Sequence, residues 1–209
     1  MSGDIDAFVL TGGASRRMGR DKAGLRFGDH SLAVRALEVL STISQNVFAA
    51  GNKNIPGLTN VGDVMNHALR IQEASIFGLR SALFHSQTKW TAVLACDLPF
   101  VTDSFFQRLV ATCRTLGDAC DAIVPMQPDG RAQPLAALYK RDTCLPRIEQ
   151  MIAAENYRLS SFVENIKAYR VLPSEYADLD ETGRLFFNIN TPEDYTKALE
   201  LADASVCKA

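Results

Sequence analysis

Short apolar runs alternate along this chain with longer segments in which apolar residues recur every three or four positions. Residues 7–10, 47–50 and 90–95 form nearly uninterrupted apolar runs, which are typical of buried strands. Between the first two runs, one-sided apolar spacing from 31 to 43 predicts a helix. Strand, helix and strand in this order form a βαβ unit, so we predict a parallel sheet covered by helices.

The second half of the chain continues this alternation and adds one reversal of strand direction. A turn at 127–130 would let the strand after it pair antiparallel with the strand before it. Thr102 or Asp103 is a suitable N-cap for one helix, and Thr191-Pro-Glu-Asp194 begins the last helix, which we expect to end near residue 201. We predict strands at 58–63, 122–125, 135–139 and 168–172, and helices at 78–84, 103–116, 143–154 and 160–166.

These elements predict one three-layer, Rossmann-like α/β domain over residues 1–209, with a mostly parallel sheet and one antiparallel strand. The chain has 22 basic and 24 acidic residues and a formal net charge of −2, a balance that disfavours a nucleic-acid-binding role. Its first six residues carry two acids and no base, and no apolar stretch reaches the roughly 20 residues that span a bilayer. We therefore expect a cytoplasmic protein without a membrane partner. Five scattered cysteines without a C-x-x-C pair disfavour a zinc site or a disulfide framework.

The segment from residue 8 to residue 22 passes from an apolar run into two glycines and then into a basic loop. Gly12 and Gly13 allow a ligand to approach the backbone closely, because they lack a Cβ atom. Their spacing matches neither the dinucleotide fingerprint nor the Walker loop. The segment predicts a site for a small phosphorylated ligand, with a simple turn and a solvated basic face as the alternative. The five basic residues of this region are Arg16, Arg17, Arg20, Lys22 and Arg26.

Asp97 stands just beyond the apolar run at 90–95, and Pro99 fixes the turn behind it. In an open parallel sheet, ligands bind beyond the carboxyl ends of the strands, at a switch in strand order. A carboxylate there suits Mg²⁺, which takes one or two protein oxygens and leaves its other positions to water and phosphate. We therefore predict Asp97 as a ligand of Mg²⁺, with a turn or N-cap aspartate as the alternative.

The basic loop and three later segments resemble the MobA-type nucleotidyltransferases, the molybdenum cofactor guanylyltransferase family. In the loop, the resemblance rests on Leu10-Thr-Gly-Gly13, Arg17-Met-Gly19 and Asp21-Lys22. The later segments follow in the family's order: Asp97-Leu-Pro-Phe-Val101, Gly130-Arg-Ala-Gln-Pro-Leu135 and Phe187-Asn-Ile-Asn-Thr-Pro-Glu-Asp194. The resemblance thus spans residues 10–194 and implies a nucleotide-diphospho-sugar-transferase-like fold.

The resemblance implies a Mg²⁺-dependent guanylyltransferase that moves GMP from GTP to the terminal phosphate of molybdenum-carrying molybdopterin. Pyrophosphate would leave, and the product would be molybdopterin guanine dinucleotide. Transient contacts with enzymes that synthesise or accept the molybdenum cofactor would follow. The resemblance implies catalytic roles for Arg17, Lys22 and Asp97, with Asp97 as the metal ligand. It implies nucleotide binding by Leu10, Thr11, Gly12, Gly13, Lys22, Asn52, Asp63 and Asp97, and acceptor binding by Gln133, Pro134, Asn188 and Asn190.

Two positions depart from the family's pattern. Thr11 stands where the family usually has alanine, and Ala74-Ser-Ile-Phe-Gly78 replaces the usual Gly-Pro-Leu-Ala-Gly. The second segment helps to shape the nucleoside pocket in the family, so the base and the acceptor are open to alternatives. One alternative is a related transferase that uses CTP or a sugar-phosphate acceptor. Another is a protein that binds nucleotide or molybdenum cofactor without catalysis.

Overall fold

The chain folds around a twisted sheet with helices on both faces. This computed structural model describes residues 5–11, 22–51, 55, 57–62 and 75–206, and within them seven strands form one sheet. These strands are β1 (Ile5–Leu10), β4 (Val47–Ala50), β5 (Thr59–Asn60), β6 (Trp90–Ala95), β7 (Ala122–Pro125), β8 (Ala136–Lys140) and β9 (Ala168–Val171). A separate short hairpin pairs β2 (Arg26–Phe27) with β3 (His30–Ser31). The helices are α1 (Leu32–Ser41), α2 (Ser75–His85), α3 (Asp103–Leu116), α4 (Arg141–Ala153), α5 (Leu159–Glu164) and α6 (Pro192–Val206).

The strand order is β5-β4-β1-β6-β8-β7-β9. β1 pairs parallel with β4 on one side and with β6 on the other, while β8 lies antiparallel between β6 and β7. The predicted antiparallel strand is therefore confirmed, and Leu138 lies opposite both Ala92 of β6 and Ile123 of β7. The chain leaves β1 in one direction to form β4 and later returns to the other side of β1 as β6. This reversal creates a switch point between the carboxyl ends of β1 and β6.

The core lies on both faces of the sheet. All six residues of β1 are buried, and alternate side chains enter opposite layers, as strand geometry requires. Ala7 and Val9 join the layer that contains α1 and α3, whereas Phe8 and Leu10 join the layer that contains α2 and α4. The predicted three-layer α/β arrangement is confirmed.

Side chains cap three helices that follow strands or turns. Ser31 accepts a hydrogen bond from Val34 N at the start of α1, and Thr102 accepts one from Phe105 N at the start of α3. At the start of α6, Thr191 Oγ1 accepts from Asp194 N (3.1 Å) and Asp194 Oδ2 accepts from Thr191 N (2.9 Å). This reciprocal pair satisfies backbone donors that a helix start leaves open.

Several element boundaries differ from those that the sequence predicts. Helix α2 begins at Ser75 rather than 78, because fully buried Ile76 extends its packed face toward the amino end. Helix α6 continues past 201 to Val206, with Ala202 packed against the core. The hairpin of β2 and β3 was not predicted, since strands of two residues show no periodicity. Among the described helices, none combines the length and the apolar character that crossing a membrane requires.

Candidate active site

The carboxyl ends of β1 and β6 meet at the switch point of the sheet. Leu10 is the last residue of β1, and its carbonyl accepts a hydrogen bond from Cys96 N (3.2 Å), one residue before Asp97. Thr11 is buried, and both its backbone N (3.0 Å) and its Oγ1 (3.3 Å) donate to Ala50 O at the end of β4. The backbone therefore leaves β1 tied to both neighbouring strands, beside the predicted aspartate.

One oxygen of the Asp97 carboxylate is buried in the protein. The Asp97 side chain is 22% exposed, and its Oδ1 atom is buried without a hydrogen-bond partner among the described residues. Oδ2 lies 3.6 Å from Lys22 Nζ. Burial raises the pKa of Asp97, and the Lys22 ammonium opposes this rise. The carboxylate thus has one buried oxygen without a partner and, at its other oxygen, one cationic neighbour within the described part of the chain.

Lys22 connects the segment before the hairpin to the start of the last helix. Its Nζ also donates to Asn190 Oδ1 at 3.2 Å, so one ammonium group contacts both Asp97 and Asn190. Asn190 is itself fixed, because its backbone N donates to Asp194 Oδ2 (2.9 Å) in the cap of α6. This hydrogen bond is the main reason for the lowered pKa of Asp194. Three residues that lie far apart in the sequence therefore meet at one point.

Asn188 adds a second buried polar atom to this region. Its Oδ1 is buried without a hydrogen-bond partner in the described part of the structure. The next residue, Ile189, donates its backbone N–H to the Asp97 carbonyl at 2.9 Å, which holds the two segments side by side. Buried polar atoms are normally paired, because an unpaired one costs free energy. Unpaired oxygens on two adjoining segments indicate a place for a cation or a hydrogen-bond donor from a ligand.

The predicted acceptor segment also reaches this edge of the sheet. Leu135 O accepts a hydrogen bond from Ala95 N (2.8 Å), two residues before Asp97. Gln133 is 8% exposed, and its backbone N donates to Pro125 O (2.8 Å). The Pro134 carbonyl already accepts the Tyr139 hydroxyl at 2.7 Å. Gln133 and Pro134 are thus held rigidly near the end of β6.

Of the predicted site residues, Lys22 contacts both Asp97 and Asn190, and backbone hydrogen bonds join the neighbouring segments. These segments carry Leu10, Thr11, Gln133, Pro134 and Asn188. Gly12, Gly13, Arg17, Asn52 and Asp63 lie outside the described residues, as does Ala74 of the altered segment. No group of three or more His, Cys, Asp or Glu side chains suited to a metal occurs among the residues that are described. Two surface cavities, of about 340 and 300 Å³, share no residue with this site.

Arg35 is a polar neighbour of the site that the sequence patterns did not reveal. Its Nε donates to the Pro99 carbonyl at 2.5 Å, two residues beyond Asp97. Arg35 lies in α1, and no motif or spacing in the sequence connects that helix to the turn after β6. The sequence feature that could have indicated its role is the presence of a basic residue on the otherwise apolar face of α1.

Two known proteins match nearly the whole chain. The chain is 28% identical over 205 residues to a probable molybdenum cofactor guanylyltransferase from Natranaerobius thermophilus, covering 95% of this chain and 96% of that protein. It is 31% identical to a protein of the same name from Methanothermobacter thermautotrophicus, over 89% of this chain and 94% of that protein.

A solved structure also shares the fold. It is the molybdopterin-guanine dinucleotide biosynthesis protein A from Archaeoglobus fulgidus, with a TM-score of 0.78, 24% identity, and coverage of 95% of this chain and 99% of that chain. A family model described as the MobA-like NTP transferase domain matches residues 7–170, which is most of the chain and includes Lys22, Asp97 and the last four residues of β1. The chain therefore belongs to the MobA-like NTP transferase family.

Proposed function

We propose that this protein transfers GMP from GTP to the terminal phosphate of molybdenum-carrying molybdopterin, forming molybdopterin guanine dinucleotide. The observation that carries the proposal is the meeting of Lys22, Asp97 and Asn190 at the switch point of the sheet. The names of the two relatives support the choice of GTP and of a molybdenum cofactor acceptor. Such an acceptor implies brief contacts with the enzymes that make molybdopterin or receive the finished cofactor.

The reaction needs alignment and charge neutralisation more than it needs a reactive side chain. An anionic oxygen of the acceptor phosphate attacks the α-phosphorus of GTP and forms the new P–O bond. The bond from the α-phosphorus to the bridging oxygen breaks, and pyrophosphate leaves with the electron pair. Two polyanions repel each other, so the protein must hold both and offset their charge. No covalent intermediate with the protein is required.

Lys22 is suited to the triphosphate because its ammonium has three donors and a flexible stem. In the ligand-free protein it contacts Asp97 and Asn190, which keeps the cation at the switch point. We propose that phosphate oxygens of GTP replace these contacts when the nucleotide binds. The backbone amides near Gly12 and Gly13 and the side chain of Arg17 remain predicted contributors to the same phosphate site.

Asp97 and Asn188 suit a hard divalent cation, and we propose Mg²⁺. Each has a buried oxygen without a partner among the described residues, and hard cations favour carboxylate and amide oxygens. The raised pKa of Asp97 reflects a carboxylate that has lost its water, and a second positive charge would favour its ionised form. When bound, Mg²⁺ supplies charge neutralisation to phosphate oxygens of the nucleotide and the acceptor.

The altered segment before and within α2 is the reason to test the base directly. Its retained glycine, Gly78, packs against β1, since a Cβ placed there would lie 3.9 Å from Leu10 Cδ2. Because this segment departs from the family's pattern, the second candidate function is a transfer that uses CTP, or a sugar phosphate as acceptor. This second function would use the same contacts among Lys22, Asp97 and Asn190 and would differ from the first in how the protein binds the nucleoside.

Pyrophosphate release with a panel of triphosphates tests the proposal. The purified protein is given GTP, CTP, ATP or UTP with Mg²⁺, with and without molybdenum-carrying molybdopterin. We expect release with GTP alone of the four, and only when the acceptor is present. Asp97→Ala should remove most turnover without unfolding the protein. Preferential release with CTP would favour the second candidate, and nucleotide binding without release under any condition would contradict a transferase role.

A further inference from the structure

A phenylalanine accompanies each of the three segments that carry the candidate site. Lys22, Asp97 and Asn188 all lie outside helices and strands, so no regular hydrogen-bond ladder fixes their positions. Phe27 lies in the hairpin that follows Lys22, and Phe100 lies in the turn that follows Asp97. Phe187 directly precedes Asn188. A functional side chain on an irregular segment is positioned by the packing of the residues around it.

The three rings form a continuous chain across these segments. Phe27 and Phe100 have ring centroids 5.5 Å apart at an interplanar angle of 89°. Phe100 and Phe187 have centroids 6.1 Å apart at 85°. Both pairs are edge-to-face, the geometry that aromatic quadrupoles favour. Phe100 is the central ring, so the turn after Asp97 touches both other segments through this one side chain.

Arg35 ties the same turn to the body of the protein. Its Nε donates to the Pro99 carbonyl at 2.5 Å, and its guanidinium carbon lies 5.4 Å from the centroid of Phe27. A planar guanidinium has few ways to satisfy both contacts at once, so it restricts the turn more than a flexible chain would. The turn is held on its other side by Ile189 N, which donates to the Asp97 carbonyl at 2.9 Å.

We propose that Phe100 and Arg35 are positioning residues of the transfer reaction, which hold the Asp97 turn in register with Lys22 and Asn188. This inference rests on the proposed function and adds two residues to it. Neither residue donates a hydrogen bond to the buried oxygens of Asp97 and Asn188, so each acts through the turn. A displacement of about 1 Å between reacting groups can cost roughly 100-fold in rate.

Replacing the central ring tests the proposal. We expect Phe100→Leu to lower kcat for GTP turnover about tenfold, with KM for GTP changed by no more than roughly twofold, because alignment is lost while binding contacts remain. Phe100→Tyr retains the ring and should restore most of kcat. Phe162→Leu is the matched control, since Phe162 is fully buried and pairs with Tyr139 in the opposite core layer. It should lower the urea midpoint while leaving kcat near the wild-type value.

Arg35 gives a second, independent test. Arg35→Met removes the donor to Pro99 O and should lower kcat in the same way, and Arg35→Lys, which keeps a cationic donor, should recover part of the loss. A readout without turnover is the side-chain amide NMR signal of Asn188 in the ligand-free protein. We expect Phe100→Leu and Arg35→Met to shift this signal and Phe162→Leu to leave it in place.

Different results overturn the inference and the proposed function. If wild-type protein releases no pyrophosphate with any triphosphate and acceptor, the proposed function fails, and the NMR arm still decides whether the cluster positions the turn. If wild-type protein turns over but Phe100→Leu loses no more kcat than Phe162→Leu at equal loss of stability, the inference is wrong. An unchanged Asn188 signal in both Phe100→Leu and Arg35→Met would also overturn it.

Discussion

Asp97→Asn should stabilise the ligand-free protein at neutral pH while it abolishes turnover. At 3.6 Å, the attraction between the Lys22 ammonium and the Asp97 carboxylate is about 4 to 5 kcal/mol before desolvation, with an effective dielectric constant of about 20. The pKa of Asp97 is nevertheless raised, so the loss of water around the carboxylate outweighs this attraction. The ionised carboxylate therefore lowers the stability of the folded protein, and the neutral amide removes that cost.

The size of the effect depends on pH in a defined direction. Below the ordinary pKa of 3.8, Asp97 is protonated in both the folded and the unfolded protein, so the cost is absent. As pH rises from there through the raised folded pKa, the unfolded chain ionises more readily and the wild-type protein loses stability. Each unit of pKa difference corresponds to about 1.4 kcal/mol. We expect Asp97→Asn to be more stable than the wild type at pH 7, by about the 0.5 to 2 kcal/mol that single stabilising substitutions commonly give.

Urea unfolding of the wild-type and Asp97→Asn proteins between pH 4 and pH 8 measures this gain. The difference in unfolding free energy should grow with pH and then level off. Lys22→Met is a control with the opposite expected sign. It leaves the Asp97 carboxylate without its cation, so it should destabilise the protein at pH 7. If Asp97→Asn were instead less stable than the wild type at pH 7, and its deficit grew from pH 4 to pH 7, the ion pair would exceed the desolvation cost and the reasoning would be refuted.

Local contacts give three further expectations. Thr191→Ala removes the cap of α6 and should cost about 1 kcal/mol in urea unfolding, whereas Thr196→Ala, within the same helix, should cost less; equal losses would contradict the capping role. Burial raises the pKa of Cys113 to about 11 and of Cys144 to about 12, so both are thiols rather than reactive thiolates at pH 8 in the native protein. Iodoacetamide at pH 8 should therefore label them in urea but not in the native protein, which mass spectrometry measures. Gly78→Ala should gain about 0.5 to 1 kcal/mol, because alanine is the better helix former and its Cβ meets the nearest side-chain atom at an ordinary 3.9 Å; a loss of stability would show that the helix cannot accommodate the methyl group.

Elements with a strong local pattern were predicted at their observed positions. The strand Trp90–Ala95, the helix Asp103–Leu116 and the strand Ala122–Pro125 have the bounds that the sequence predicts. Their apolar residues repeat with the period of the element, and Thr102 supplies the cap that begins the helix. The hairpin of β2 and β3 escaped prediction because two-residue strands are specified by their tertiary contacts. The turn at 127–130 predicted that β8 pairs with β7, but the pairing of β8 with β6 joins segments that are distant in the sequence and has no local signal.

The sequence by itself determined the α/β class and the antiparallel strand, and it predicted the basic loop as a phosphate site and Asp97 as a metal ligand. Those features follow from hydrophobic periodicity and from the chemistry of single side chains, both of which are local. Only the tertiary structure decided that Lys22 contacts Asp97 and Asn190, and that Arg35 holds the turn beyond Asp97. These contacts join segments separated by tens to more than a hundred residues. Burial also belongs to the folded state alone, because the Asp97 carboxylate loses its water, and gains its raised pKa, only when the surrounding layers close around it.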